Sequence, residues 1–163
     1  MKESGIIAFA FGAPDNILSN RIISGIASKK ARKLNSHIYT QLDVRIEDGV
    51  PTERIRERSG KPPSTLRFAR EAVNWAEQEG IEKLWVVAAK PHLWRALRDV
   101  REAVREAGMF TKVLPCKEIG QYPEDSWFCQ DSSQKRTRSS KAWDRRERIL
   151  KCMPWFLYKL IAS

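Results

Sequence analysis

Apolar residues in this chain of 163 fall into two patterns, short unbroken runs and longer stretches at helical spacing. Residues 5–11, GIIAFAF, are apolar or glycine throughout, which suits a strand covered on both faces. The turn-forming segment GAPDN at 12–16 follows and offers a helix N-cap. From 17 to 34, Ile17, Leu18, Ile22, Ile26, Ala27, Ala31 and Leu34 recur at helical spacing. Lys29, Lys30, Arg32 and Lys33 crowd the last turn, where cations oppose the helix dipole, and read as a solvated helix end. Residues 37–46 begin as a second strand, GVP at 49–51 is a turn, and a short third strand falls near Ile55. SGKPP at 59–63 breaks the chain.

The clearest helix covers 64–80. Ser64 or Thr65 caps it, Leu66, Ala69, Val73 and Ala76 line one face, and Gly80 sits at the C′ position. Residues 83–89, apolar from Leu84 onward, form a second buried strand, and a turn at Lys90, Pro91 and His92 leads into a helix reaching about Ala107. Its inner face holds Leu93, Ala96, Leu97, Val100 and Val104, and residues 110–115 make a last short strand. This alternation predicts an α/β fold, a Rossmann-like three-layer sandwich with a mainly parallel sheet. The strands at 5–11 and 83–89 should lie side by side or nearly so. Residues 117–140 lack periodicity and read as an exposed, mobile loop. Residues 141–162 form an amphipathic C-terminal helix that Pro154 should kink or split.

Length allows one hydrophobic core, so residues 1–163 are expected to form a single domain. Three scattered cysteines without a CxxC motif fit a reducing compartment. No apolar run reaches membrane-spanning length and the start lacks a secretory pattern, so a cytoplasmic location is expected. The net charge of +10 is unevenly placed: residues 131–163 hold nine basic and three acidic side chains. Such clustering suggests an anionic partner.

In a parallel sheet, ligands bind beyond the carboxyl ends of the strands, where helix N-termini favour anions. Three loops meet that condition, at 12–16, 62–65 and 90–95. They contribute Gly12, the hydroxyls of Ser64 and Thr65, His92, and the guanidinium of Arg95, whose fork of N–H donors suits an oxyanion. His92 is the candidate acid or base, since its ordinary pKa lies near neutrality. Taken singly, Ser64 and Thr65 serve equally well as plain caps, and Arg95 as a solvated helix residue. GxGxxG, GxxxxGK[ST], HExxH and GxSxG are all missing, which removes the corresponding nucleotide, metalloprotease and esterase readings. With only His37 and His92, a histidine-rich metal site is excluded.

The stretch STLRFA at 64–69, followed by LWVVAAKPHLWRA at 84–96, resembles the YdcF-like family, the SanA and ElyC type of domain. That family shows an Asn-Thr-x-Glu-Asn-Ala helix start, a hydrophobic strand and a His-x-x-Arg-Ala motif. Thr65, Ala69, His92, Arg95 and Ala96 match it position by position, and Gly49-Val-Pro51 with Ile55 and the terminal Trp143, Glu147 and 155–158 look like further family elements. Ser64, Arg67 and Phe68 depart from the pattern, as does the loop at 11–14, which keeps one glycine, and nothing near 39–42 matches the family's Ser-Gly-Gly. The resemblance implies a Rossmann-like fold and a phosphorylated, nucleotide or adenosyl-like ligand; it assigns neither a reaction nor a cofactor.

Two readings of function follow. The first is a domain binding an anionic small molecule through Gly12, Ser64, Thr65, His92 and Arg95. The second is nucleic-acid binding through Lys135, Arg136, Arg138, Lys141, Arg145 and Arg146, with Trp143 stacking on a base. Trp155, Phe156 and Tyr158 beside nearby cations also fit an anionic membrane surface, although internal packing is the better use of so many large apolar groups.

Overall fold

A computed structural model describes residues 3–58 and 62–163. Among them, five parallel strands form one sheet in the order β3-β2-β1-β4-β5: β1 Ser4–Ala8, β2 His37–Thr40, β3 Thr52–Arg54, β4 Lys83–Val87 and β5 Lys112–Pro115. The two apolar strands are neighbours, with Ile6 opposite Trp85 and Ile7 opposite Val86. They lie at the centre of the sheet, where both faces are covered. The edge strand β3 reads TER and is only partly covered, as befits a sheet margin. The break expected at 59–63 falls in part on residues 59–61, outside the described residues.

Helices α1 Leu18–Leu34, α2 Thr65–Gln78 and α3 Lys90–Glu106 pack on the sheet. Because side chains alternate along a strand, β1 feeds both layers. Ile7 joins the core formed with α2 and α3, while Ile6 and Ala8 join the core formed with α1. This is the Rossmann-like three-layer arrangement. The end of α2 shows how the chain turns back to the sheet. Gly80 takes a φ of +66°, the amide of Ile81 donates to the carbonyl of Ala76 at 2.9 Å, and Ile81 enters the core. No helix among the described residues is long and apolar enough to cross a membrane.

The segment 117–140 differs from the exposed loop expected of it. It holds three short 3₁₀ turns and buries Ile119, Trp127, Ser132 and Thr137 against the α1 side of the molecule and the loop after β1. Periodicity cannot reveal such a segment, because its apolar anchors are single residues between polar ones. The C-terminal helix is two helices, α4 Ser140–Cys152 and α5 Trp155–Ala162, divided at Pro154, which lacks the N–H that a continuous helix needs. Both return to α3. Tyr158 donates its hydroxyl to buried Asp99, which also accepts from Arg98 Nε at 3.0 Å, and the Arg98 guanidinium lies 4.1 Å from the Tyr158 ring centre and 4.7 Å from that of Trp155.

The Tyr158–Asp99 bond yields a direct expectation. Tyr158→Phe keeps the ring but leaves a buried carboxylate oxygen without its donor, and should lower stability by about 1–3 kcal/mol. Denaturant unfolding of the variant beside wild type measures it; an unchanged midpoint would mean that Arg98 alone satisfies Asp99.

Candidate functional site at the mouth of the sheet

Strand β1 leads to α1 on one face, and β4 leads to α3 on the other. The crevice between their carboxyl ends is therefore the switch point of the sheet. A cavity of about 60 Å³ opens there, and Gly12, Ser64, Thr65, His92 and Arg95 all line it. Phe9, Phe11, Phe68 and Trp143 form apolar walls. The segment 117–140 and α4 add Gln134, Arg136, Thr137 and Arg146 to the lining.

The five expected residues play different parts. Ser64 is chiefly structural, since its hydroxyl caps α2 by accepting from the Arg67 amide at 3.2 Å and donates to the carbonyl of Ala162. Thr65 Oγ1 lies 3.2 Å from Nε2 of His92, the donor depending on the imidazole tautomer. Gly12 is a packing position. It has a φ of +88°, and a Cβ there would stand 2.7 Å from Ser132 Oγ and 2.8 Å from Thr137 Oγ1. Without that close approach, the segment carrying Arg136 could not seat. Nor does the Gly12 loop offer a ready cradle of amides. The Ala10 N–H donates to Gln41 Oε1 at 2.9 Å, Phe11 to Asn20 Oδ1 at 2.8 Å, and Ala13 to Ser132 Oγ at 3.3 Å. The N-cap expected within 12–16 falls instead at Ile17, which has no side-chain bond, and Asn20 folds back to hold the loop.

Arg95 is not the solvated helix residue of its plain alternative. It is buried and lies 3.0 Å from Glu147, which is buried with it. Contact between them is a charge pair by distance, without a directional hydrogen bond: both Glu147 oxygens and Arg95 Nε lack hydrogen-bond partners among the described residues. The Arg95 guanidinium also sits 5.4 Å from the Trp143 ring centre. Arg136 and Arg146 add two more guanidiniums at the rim, and neither has a carboxylate within ion-pair distance among the described residues. Burial, then repulsion from Arg136 and Arg95, pushes the Arg146 pKa down to about 10. Arg136 is more exposed by surface area, yet desolvation of its charge and repulsion from Arg95 still lower its pKa.

His92 is held neutral. Burial is the main cause, and Arg95, Arg146 and Arg136 add repulsion, so its pKa lies well below the ordinary 6.5. Its Nδ1 is buried with no hydrogen-bond partner among the described residues. Near neutral pH the ring can accept a hydrogen bond or orient a ligand, but it carries no acidic proton of the imidazolium kind. Among the described residues, no group of three or more His, Cys, Asp or Glu is placed to hold a metal ion.

The basic residues expected to meet nucleic acid divide. Lys135, Arg136, Arg138, Lys141 and Arg145 are exposed and Arg146 is half-buried; of these, Arg136 and Arg146 also line the cavity. Trp143 is buried and donates its indole N–H to the carbonyl of Pro91 at 3.2 Å, so its face is not offered to a base. Sequence reasoning missed Arg136, Arg146 and Glu147 as site residues. One signal pointed to Glu147: it shares a helix face with Trp143 and Leu150, and an acid on an apolar inner face needs a buried cation. No protein-family model matches this chain, and no curated protein matches its sequence.

The state of His92 predicts a pH dependence. Below 6.5 the unfolded chain takes up a proton that the folded site refuses, so acidification favours unfolding. Burial raises the pKa values of Asp99 and Glu147, which therefore act in the opposite direction above their ordinary 3.8 and 4.5. The informative quantity is the difference between wild type and His92→Gln. Wild type should lose stability relative to the variant as pH falls below 6.5, approaching about 1.4 kcal/mol per pH unit. Parallel stability curves for the two proteins would show that His92 titrates normally when folded.

Proposed function

We propose that this chain binds an anionic small molecule and takes a phosphoryl group of that ligand into the cavity between β1 and β4. The carrying observation is a surplus of positive charge: three guanidiniums, from Arg95, Arg136 and Arg146, face one carboxylate, Glu147. With His92 neutral, two positive charges lack a counter-charge in the site, which matches a phosphoryl dianion better than a carboxylate. Guanidinium forks supply paired N–H donors to such oxygens. The size of the cavity supports the same reading. About 60 Å³ suits an oxyanion with a little solvent and falls well below the roughly 300–1,000 Å³ of pockets enclosing drug-sized ligands. A nucleoside or other organic portion would therefore stay at the rim. His92 and Thr65 orient the group, and no bond-making step is assigned. The YdcF-like resemblance is part of this proposal, since Thr65, His92 and Arg95, on which it rests, lie together at the site. Nucleic acid is the weaker reading, because Trp143 is buried and Arg136 and Arg146 point to the cavity.

Arg95 is a poor choice for the test, because its removal would leave Glu147 buried and unpaired at a cost of about 3–5 kcal/mol. Arg136→Ala and Arg146→Ala avoid that difficulty. Calorimetric titration with inorganic phosphate, pyrophosphate and adenosine monophosphate, with acetate as a monoanion control, should show phosphate-type ligands preferred. Each variant should weaken binding about tenfold, the effect of one charge-assisted hydrogen bond, while melting like wild type. Unchanged affinity in both variants, or no binding of any phosphate ligand, would contradict the proposal.

A further inference from the structure

Helix α5 turns an apolar face outward. Its inner face carries Trp155, Tyr158, Lys159 and Ala162; Tyr158 and Ala162 are buried, and Lys159 contacts Glu102 and Glu106 of α3. Its outer face is wholly apolar: Phe156 is 66% exposed, Leu157 41%, Leu160 74% and Ile161 63%. These four positions fall at i, i+1, i+4 and i+5, on a single stripe of the helix. Four large apolar side chains contiguous on a protein surface mark an interaction site. The preceding helix is arranged differently. α4 turns Trp143, Glu147 and Leu150 inward and exposes Lys141, Arg145, Arg148 and Lys151 against the single exposed acid Asp144.

We propose that the outward face of α5 rests on the surface of an anionic lipid bilayer, with the exposed cations of α4 meeting the headgroups. Charge complementarity selects this occupant. A second copy of the chain carries the same net charge of +10, so a two-fold contact sets like-charged molecules against each other. An anionic bilayer accepts the apolar stripe and the cations together and requires no shaped partner. With eight residues, α5 can lie along the interface and cannot span it. The surface is separate from the cavity, so this inference does not depend on the proposed ligand.

Flotation with phosphatidylcholine vesicles, with and without phosphatidylglycerol, tests it on the full chain. Wild type should float with the anionic vesicles, less so as salt is raised, and stay behind with neutral ones. Leu160→Glu should weaken vesicle binding at least about tenfold, the weight of one large apolar side chain. Arg145→Glu with Arg148→Glu should weaken it comparably. All three positions are exposed, so melting points should be unchanged, and phosphate titration should be unaffected. Absence of wild-type binding to anionic vesicles would overturn the proposal, as would equal binding by Leu160→Glu. Sedimentation showing a dimer that Leu160→Glu dissociates, without vesicle binding, would identify the stripe as a self-interface instead.

Discussion

A buried charge pair organises this molecule. Arg95 on α3 and Glu147 on α4 meet out of reach of solvent, and each is costly to bury without the other. Their contact fixes the C-terminal part of the chain over the carboxyl ends of β1 and β4. Trp143 follows from it, packed between Phe11 and His92 with its indole bonded to Pro91. The rim arginines follow as well. Arg146 precedes Glu147 on the same helix, and Arg136 arrives on the 3₁₀ turn that packs against Gly12. One carboxylate thus anchors a site populated by three guanidiniums, and the surplus charge results from how the fold is closed.

As the proposed phosphoryl site, the cavity would differ from familiar phosphate sites in where its donors come from. In glycine-rich loops, backbone amides cradle the anion at a helix N-terminus. Here the amides of Ala10, Phe11 and Ala13 are occupied by side chains of the protein itself. In the proposed site, recognition would fall to long cationic side chains on segments remote in sequence from the strand ends. Desolvation by the aromatic walls strengthens each charge interaction, and it also keeps His92 neutral.

Much of the sheet was legible because β1 and β4 are continuous apolar runs and α2 and α3 carry strict helical spacing with Gly80 and Gly108 at their ends. From these features came the parallel arrangement and the neighbouring central strands, and with them the place where Gly12, Ser64, Thr65, His92 and Arg95 converge. What escaped was the C-terminal contribution. The segment 117–140 is anchored by isolated residues, Ile119, Trp127, Ser132 and Thr137, which leave no periodic trace. The basic side chains from Lys135 to Arg146 read only as a cationic cluster, because charge alone does not tell which arginines line a cavity. The pairing of Arg95 with Glu147 escaped for the same reason: its partner lies 52 positions away.

The surplus charge and the neutral histidine are two sides of one electrostatic field, so a single titration reads both. His92 and His37 are the only histidines, and His37→Gln leaves one imidazole to follow by nuclear magnetic resonance. In the absence of anion, the His92 ring should remain neutral well below pH 6.5. Addition of inorganic phosphate should raise its pKa, because an anion among the three guanidiniums offsets their repulsion. An imidazole that titrates near 6.5 and ignores phosphate would contradict a buried, positively charged anion site at the mouth of this sheet.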